Sequence, residues 1–422
     1  MYSVIPIFSD PYLHPLHKNN GLSALYVAPE GDNDFFIIQK HPDSDKFMED
    51  YKWLDSEFIL TPDKKLLNHF YKFKDVVDKN FIWWIDTGKP FDNNIRNNAI
   101  DFLSNKYYNV KKLNEIIPLY KHKEYCREVY EKNARVYTGE NDEYMNDVIK
   151  AFGSIEKNGI KVSDDVCDIF DMRVKKHISN GKLYSNYNLW TTTGRPSNSF
   201  GSVNFAALPP EKRKAFVPEN DYLVEYDYDA YHLRLIGDLV GHFFGIQSVH
   251  EYLAQDYGCS YEESKQRSFQ LLYGGIDKQT REKVPFFDLT HKFINNKWNE
   301  INKNKYILTD IYRRRIVLEN YDDLNKNKLF NYLIQALETE LNVKKILLIQ
   351  DYLLDKKTKL VLYGYDSFLF DFSKQDGVET LKEIKRILEV KTDVPGDTEP
   401  YFYTKSKMGL NYGEMQDITK RL

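Results

Sequence analysis

Cysteine is scarce in this sequence, and the three that occur, Cys126, Cys167 and Cys259, are far apart and form no C-x-x-C pair. This scarcity excludes a disulfide framework and a cysteine-rich zinc site. No uninterrupted apolar stretch approaches the length needed to cross a bilayer, and Met1–Asp10 has neither the basic nor the apolar region of a signal peptide. We therefore expect a cytoplasmic protein with no membrane partner.

An excess of basic residues is also missing, because 59 lysines and arginines face 63 aspartates and glutamates, for a formal net charge of -4. This balance excludes a globally basic nucleic-acid-binding chain, but it leaves room for a local basic stripe. With 42% hydrophobic residues over 422 positions, the chain can bury the cores of two to four domains, or of one large domain with insertions.

The region up to about residue 120 has a mixed α/β pattern. Apolar and aromatic runs bounded by turn residues predict strands, and the turn residues at 31–34 predict a hairpin between the first two. The elements predicted here are strands at 22–27, 35–39 and 81–85, a helix at about 94–106, and mainly helical structure from about 113 to 156. Asn158-Gly159 ends that helical segment.

The character of the sequence changes after residue 180, where small and turn-forming residues collect at 191–202. A strand at 222–226 then leads directly into Asp227, and an apolar hairpin at 359–372 places Asp366 at its bend. The helices predicted in this part run from about 230 to 241, from about 261 to 273 with Gly274-Gly275 at its end, and from 328 to 350.

Asp227 and Asp366 are acids of the kind that phosphoryl transfer requires. Two magnesium ions about 4 Å apart activate the attacking oxygen and stabilise the leaving oxygen, and such hard cations select carboxylate oxygens. Either aspartate alone fits an ordinary turn residue better than a metal ligand. The two are singled out by the residues that surround them.

The run Asp227–Arg234 reads D-Y-D-A-Y-H-L-R and resembles motif A of the family A DNA polymerases, whose core is D-Y-S-Q-I-E-L-R. Upstream, Thr193–Ser199 resembles the T-G-R-L-S-S segment of that family, and Ala215–Pro218 matches its A-F-x-P just before motif A. Asn204 falls where the family has an asparagine, in its N-L-Q-N-I-P stretch.

Motif B of the family, R-x3-K-x3-F-x3-Y-G, is matched by Lys265, Phe269, Tyr273 and Gly274, with Tyr261 at the arginine position. Three later fragments keep the family's order: Asn331–Gln335 for N-x-P-x-Q, Tyr365–Ser367 for His-Asp-Glu, and Gly409–Glu414 for the closing G-x-N-W-x-E. Because several such fragments occur in the family's order, the chain is identified as a member of family A, the polymerase I-like family, in a compact phage-type form. The resemblance covers about residues 145–422.

The resemblance implies an α+β right-hand polymerase fold over residues 126–422. The expected parts are a palm at about 140–163, 200–235 and 340–422, a reduced thumb at about 164–190, and fingers at about 236–330. So short a thumb implies weak intrinsic processivity, and a processivity factor or another replisome protein is an expected partner.

The implied function is a DNA-templated DNA polymerase that adds dNTPs to a primer 3′ end, in the replication of a phage or virus in its host's cytoplasm. Asp227 and Asp366 would bind two Mg²⁺ ions, with Mn²⁺ as the alternative metal. The residues implied to contact the nucleotide are Lys265, Phe269, Tyr273, His232 and Arg267. Those implied to contact primer-template DNA are Arg195, Asn204, Asn331, Gln335 and Tyr365.

Some of these positions depart from the family pattern. His232 replaces the motif A glutamate that crowds the sugar 2′-position, and Ser367 replaces the second acid of motif C. Tyr261 replaces a triphosphate-binding arginine, so a nearby basic residue is expected to compensate, and Arg267 is the candidate.

Residues 1–125 lie where the family carries a 3′–5′ exonuclease domain, whose metals need a D-x-E pair on the first strand. We take Leu25–Glu30 as that strand, and it lacks the pair, while Asp86 alone is not a site. The prediction is a degenerate exonuclease-like α/β domain without proofreading activity, and the alternative is a divergent active nuclease.

Two other functions stay open. Tyr365-Asp366-Ser367 also resembles the His-Asp-Ser of single-subunit RNA polymerases, although the T-G-R segment and Phe269 favour DNA synthesis. The lost motif B arginine and motif C acid fit a catalytically impaired DNA-binding accessory protein, which the retained aspartates and Lys265 oppose.

Overall fold

The computed structural model of the chain describes residues 1–8, 10, 13–29, 36–39, 46–90, 139, 141–164, 169–201, 203–245, 248–391 and 400–422. These residues form two compact units. The first unit is Met1–Trp190 with Asn198–Asn204, and the second unit is Thr191–Ser197 with Phe205–Leu422. The helix predicted at about 94–106 and the turn at 31–34 lie outside the described residues.

The first unit is built on a mixed five-stranded sheet and four described helices. Its strands are β1 (Tyr2–Phe8), β2 (Leu22–Pro29), β3 (Phe36–Gln39), β4 (Phe58–Thr61), β5 (Asp75–Asp78), β6 (Ile160–Val162), β7 (Lys182–Leu183), β8 (Tyr187–Asn188), β9 (Ser197–Phe200) and β10 (Val203–Asn204). Its helices are α1 (Lys64–Phe70), α2 (Lys79–Thr87), α3 (Asp142–Asn158) and α4 (Met172–Lys175).

The five-stranded sheet has the order β3-β2-β1-β4-β5. The strands β1, β2 and β3 pair antiparallel, whereas β4 pairs parallel with both β1 and β5. The predicted hairpin is present, because Val27 pairs with Phe36 across β2 and β3. Buried apolar side chains such as Val4, Leu25 and Ile59 form the core on one face of this sheet.

Two sequence predictions in this unit are wrong. The segment 81–85 forms helix α2 and not a strand, because the Asp78 carboxylate caps the helix by accepting from the Phe81 backbone N–H at 3.0 Å. A short apolar run fits a buried helix as well as a strand, so its pattern alone does not separate the two. The first strand is Tyr2–Phe8 and not Leu25–Glu30, and it also carries no acid.

The second unit contains an antiparallel five-stranded sheet of order β15-β16-β12-β17-β18. Its strands are β11 (Phe216–Val217), β12 (Tyr222–Tyr228), β13 (Tyr306–Leu308), β14 (Arg315–Val317), β15 (Lys359–Tyr363), β16 (Ser367–Phe372), β17 (Thr404–Gly409) and β18 (Gln416–Asp417). Its helices are α5 (Pro210–Arg213), α6 (Tyr231–Val240), α7 (Val249–Tyr257), α8 (Tyr261–Gly274), α9 (Lys278–Lys283), α10 (Pro285–Asn304), α11 (Lys326–Tyr352) and α12 (Val378–Glu389).

Local sequence explains why these helices begin and end where they do. Ser260 and Glu263 form a capping box at the start of α8, each side chain bonding the other residue's backbone N–H. Gly275, with φ of 114°, ends the helix as the sequence predicts. Asn325 caps the 27-residue helix α11 by accepting from Lys328 N.

The second unit has a separate apolar core among its helices. Side chains from α6, α7, α8, α10 and α11 meet there, and Phe286, Phe287 and Leu253 are fully buried in it. This core supports α8 from behind. Among the described residues of both units, no helix is long and apolar enough to cross a bilayer.

Candidate functional site

Asp227 lies near the end of β12, the central strand of the antiparallel sheet, with Ser367 and Lys405 as its partners on the two flanking strands. The bend that carries Asp366 is tied to the same strand, because the Tyr228 backbone N–H donates to the Asp366 carbonyl at 2.9 Å. The predicted strand and hairpin therefore bring together two acids that are 139 positions apart in the sequence.

The backbone around the two acids is held in sparsely populated conformations. Tyr365, directly before Asp366, has φ of 72°, and Ala230, which begins α6, has φ of 51°. Non-glycine residues rarely adopt these values unless their surroundings enforce them, and such residues cluster at functional sites. The Tyr365 carbonyl is fixed by a 3.0 Å bond from the Asn342 side-chain amide.

The two carboxylates resist ionisation in the absence of a cation. Burial and the nearby Asp366 raise the pKa of Asp227 to about 7. Burial, and then the charge of Glu338, also raise the pKa of Asp366. A divalent cation would relieve both effects, and carboxylate oxygens are the ligands that Mg²⁺ selects. The donor set thus fits a hard cation that keeps water and phosphate as its other ligands.

Both acids open into a cavity of about 570 Å³ within the second unit. Seven of the residues predicted from the sequence join them on its walls: Arg195, His232, Lys265, Phe269, Tyr273, Asn331 and Gln335. The volume is in the range of small-molecule ligand sites. The sequence pattern therefore located most of one site, although its residues come from four separate elements and two connecting segments.

Helix α8 presents a mixed cationic and aromatic face to this cavity. Lys265, Phe269 and Tyr273 are spaced by four residues, so they lie on one side of the helix. The Phe269 and Tyr273 rings stack with centroids 6.2 Å apart and planes 13° apart. Both rings are part-exposed, at 44% and 37%, so a flat ligand can reach them.

A buried carboxylate, Glu338, organises one wall of the cavity. The Arg195 guanidinium contacts both oxygens of this carboxylate, with Nε 2.8 Å from Oε2 and Nη2 donating to Oε1 at 3.0 Å. His232 Nε2 lies 3.2 Å from the same Oε2, and His232 Nδ1 lies 2.5 Å from the Tyr273 hydroxyl. Burial alone would raise the pKa of Glu338, but His232 and Arg195 lower it below its usual value.

Residues predicted from the sequence make two further contacts near this wall. The Arg195 guanidinium also lies 3.9 Å from the centroid of the Tyr365 ring, a cation–π distance that fixes the residue before Asp366. On α11, the Gln335 side-chain amide donates to Asn331 Oδ1 at 2.9 Å. Tyr365 therefore supports the wall of the cavity but is not among the residues that line it.

The structure does not bring Arg267 and Asn204 into this cavity. Arg267 lies two residues beyond Lys265, on another side of α8, and its guanidinium covers the Tyr257 ring at 4.6 Å. Two residues correspond to about 200° of helix rotation, which explains why Arg267 is not among the residues that line the cavity. Asn204 lies on β10, in the first unit.

Sequence reasoning missed several residues that line the cavity, among them Glu338, Lys405, Asp229 and His250. Lys405 reaches the site from β17, and its Nζ lies 3.0 Å from Asp229 Oδ1. The signal for Glu338 was available, because it follows Gln335 by three positions and so shares its face of α11. No local sequence pattern predicts that Lys405 lines the cavity, because its position depends on strand pairing.

The first unit holds a second cluster of titratable groups, formed by His14, His69 and Glu156, whose ligand-type atoms lie within 4.8 Å of one another. The ammonium group of Lys65 already supplies a positive charge to this cluster, since Lys65 Nζ lies 2.5 Å from Glu156 Oε1. His69 Nε2 lies 2.8 Å from Glu156 Oε2. Burial lowers the pKa of His14 to about 3, although the nearby Glu156 carboxylate opposes this shift. We interpret the cluster as neutralisation of a buried carboxylate.

Comparison with known proteins gives a match at the level of structure alone. No protein-family model matches the sequence, and no curated protein matches it. A solved structure that does match is the POL domain of Pol1 from M. smegmatis in complex with DNA primer-template and dNTP, with a TM-score of 0.66 and 14% sequence identity. The match covers 98% of this chain and 95% of that chain. The chain therefore has a mixed α+β fold similar to that POL domain.

Proposed function

We propose that this chain is a DNA-templated DNA polymerase of family A, which adds dNTPs to a primer 3′ end. The observation that carries the proposal is the cavity itself, which is lined by Asp227 and Asp366 together with Lys265 and the stacked rings of α8. The fold similarity to a POL domain solved with primer-template and dNTP supports the same proposed function.

In this proposal Asp227 and Asp366 hold two Mg²⁺ ions, which supply activation of the primer hydroxyl and stabilisation of the leaving oxygen. The chain's own part is to hold the two carboxylates on the wall of one cavity. The central position of β12 between two paired strands serves that purpose, because both of its edges are hydrogen-bonded.

Lys265 and Lys405 are proposed to neutralise the triphosphate. Lys405 has the right chemistry to replace the motif B arginine, because it lines the same cavity, close enough to Tyr261 for that phenol to affect its pKa. Phe269 and Tyr273 offer flat faces on which the base or sugar of the incoming nucleotide can pack. His232 would lie beside the sugar.

Arg195, Asn331 and Gln335 are proposed to contact the primer-template minor groove. Acceptors in that groove occupy similar places in all correct base pairs, so contacts there test the shape of the pair and not its sequence. Their placement on one cavity with the two acids supports a role next to the reacting end of the primer.

The domain assignment made from the sequence stays part of this proposal. Palm, fingers and a reduced thumb would occupy residues 126–422, and the thumb span from 164 to 190 has α4, of four residues, as its described helix. So small a thumb would leave the enzyme dependent on a partner for processivity, in a phage or viral replisome. Residues 1–125 would be an exonuclease-like domain without proofreading activity.

The test is extension of a labelled primer on a DNA template with Mg²⁺, with dNTPs and rNTPs supplied separately. Wild-type protein should extend with dNTPs, and Asp227→Asn and Asp366→Asn should each abolish extension. Asp371→Asn is the matched control, since it removes a charge from the same hairpin at a site where Asp371 binds the backbone of Glu219 and Asn220.

Each alternative predicts a different outcome of this assay. Preference for rNTPs would assign the chain to RNA synthesis. Primer-template binding without extension, in the presence or absence of Mn²⁺, would assign it to a catalytically impaired accessory role. Extension that survives both aspartate substitutions would remove the metal ligands from the proposal.

A further inference from the structure

Glu338 is a carboxylate of the cavity wall that the proposed chemistry does not use. It is fully buried, at 0% exposure, on the long helix α11. A buried charge is costly unless it is paired and hydrogen-bonded, so its partners indicate what it does. Those partners are Arg195 and His232, which both line the cavity.

The His232 ring lies between the Glu338 carboxylate and the Tyr273 hydroxyl. Its Nε2 is 3.2 Å from Glu338 Oε2, an ion-pair distance. Its Nδ1 is 2.5 Å from the Tyr273 hydroxyl, within hydrogen-bond distance. Burial, and then the charge of Glu338, raise the pKa of Tyr273 to about 12, which keeps that hydroxyl protonated at neutral pH.

These contacts form a chain from α11 through His232 to the tyrosine of α8. His232 contacts Glu338 through Nε2 and Tyr273 through Nδ1, and its side chain is only 14% exposed. These two contacts restrict where the ring can move when a ligand enters the cavity. If Glu338 is neutralised, the ring loses the charged partner beside Nε2.

We propose that Glu338 is a positioning residue for nucleotide selection, which holds His232 and, through it, Tyr273 against the sugar side of the incoming nucleotide. The inference rests on the proposed function, because it assumes that a nucleoside triphosphate enters this cavity. Its specific content is that sugar discrimination depends on a carboxylate that does not touch the nucleotide.

The experiment compares Glu338→Gln with Glu340→Gln. Glu340 is the matched control, because it is also fully buried on α11 and paired with an arginine, with Arg314 Nε 2.8 Å from its Oε1. We would measure the ratio of kcat/KM for a dNTP to kcat/KM for the matching rNTP. Glu338→Gln should reduce this ratio by about tenfold or more, since it removes a charged partner, whereas Glu340→Gln should leave it within about twofold.

A second variant separates positioning from folding. His232→Phe removes the contacts that connect Glu338 to Tyr273 but leaves the Arg195–Glu338 pair in place. It should reduce the dNTP-to-rNTP ratio of kcat/KM as Glu338→Gln does. In the His232→Phe background, Glu338→Gln should cause no further loss, because Glu338 acts through the ring. Equal ratios in wild type and Glu338→Gln, or fully additive losses in the double variant, would overturn the inference.

Equilibrium binding of the same dNTP and rNTP, with Ca²⁺ in place of Mg²⁺, distinguishes this inference from the proposed function. If wild-type protein extends no primer but its preference for the dNTP falls in Glu338→Gln, the role of Glu338 stands and the polymerase does not. If neither nucleotide binds wild-type protein, both proposals are overturned.

Discussion

The side-chain amide of Asn342 donates to the carbonyl oxygen of Tyr365 at 3.0 Å, which ties the bend carrying Asp366 to the middle of α11. The same amide group donates to the Tyr363 hydroxyl at 3.1 Å, and Asn342 Oδ1 accepts from the Tyr231 hydroxyl at 2.8 Å. One fully buried side chain therefore connects the hairpin of one acid with the helix that follows the other.

Asn342→Ala should lower the free energy of unfolding by about 2–4 kcal/mol, because it leaves buried hydroxyl and carbonyl groups without their partner. It should also lower kcat for primer extension more than it raises KM for dNTP, since the position of Asp366 changes. Leu348→Ala, at a 48% exposed position of the same helix, is the control and should change stability by less than about 1 kcal/mol. Unchanged kcat in folded Asn342→Ala would show that the bend carrying Asp366 keeps its conformation without the hydrogen bond from Asn342.

Lys405→Met should raise KM for dNTP about tenfold or more with a smaller effect on the affinity for primer-template, because the lysine is proposed to meet the triphosphate. Lys407→Met is the control. Lys407 follows on the same strand, but its Nζ lies 3.6 Å from Glu225 and it is not among the residues lining the cavity. If both variants shift KM for dNTP equally, the shift comes from the overall positive charge of the strand and not from a contact of Lys405 with the triphosphate.

The raised pKa of Asp227, about 7 against its usual 3.8, predicts a dependence of stability on pH in the absence of divalent metal. Between these values the native state binds more protons than the unfolded chain, so the free energy of unfolding should fall as pH rises from about 4 to 7 and remain lower above it. The full difference is on the order of 4 kcal/mol. Denaturant titrations of wild type and Asp227→Asn, in EDTA, isolate this contribution as the difference between the two.

Mg²⁺ should offset that loss most strongly above pH 7, where Asp227 is ionised, and should have a much smaller effect on Asp227→Asn. A wild-type curve that stays parallel to that of Asp227→Asn from pH 4 to 8 would contradict the raised pKa. Stabilisation by Mg²⁺ that is equal in both proteins would place the bound ion elsewhere.

Glu156→Ala should destabilise the first unit by about 3–5 kcal/mol, because it leaves Lys65 as a buried charge without its carboxylate. Glu143→Ala, at an exposed position of the same helix α3, is the matched control. Zn²⁺ should not raise the melting temperature of wild type, since Lys65 already neutralises the carboxylate. A rise in wild type that Glu156→Ala abolishes would instead assign His14, His69 and Glu156 to a metal.

The sequence was informative where local pattern and order along the chain carry the structure. The strand leading into Asp227, the hairpin around Asp366 and the i, i+4, i+8 face of α8 were all predicted from short segments, and the structure contains each of them. The prediction of a strand at 81–85 was wrong because a run of five apolar residues has no helical or strand periodicity of its own. The helix cap at Asp78 decides its conformation.

The rest of the site depends on contacts between distant segments. Lys405 reaches the cavity only through the pairing of β17 with β12. Glu338 shares the helix face of Gln335, but a glutamate in a long helix usually faces solvent, and its burial depends on Arg195 and His232, which come from other elements. Arg267 was chosen by nearness in sequence, which on a helix is a poor guide to direction.

The register of the antiparallel sheet restricts which changes the hairpin can tolerate. Only three residues separate β15 from β16, and Asp227 is paired directly with Ser367. Because neighbouring residues of a strand face opposite sides of the sheet, a shift of β16 by one position would turn every one of its side chains over. A single inserted or deleted residue at 364–366 would therefore separate the two acids even where the chain still folds, so this turn should be the least tolerant of length variation in the second unit.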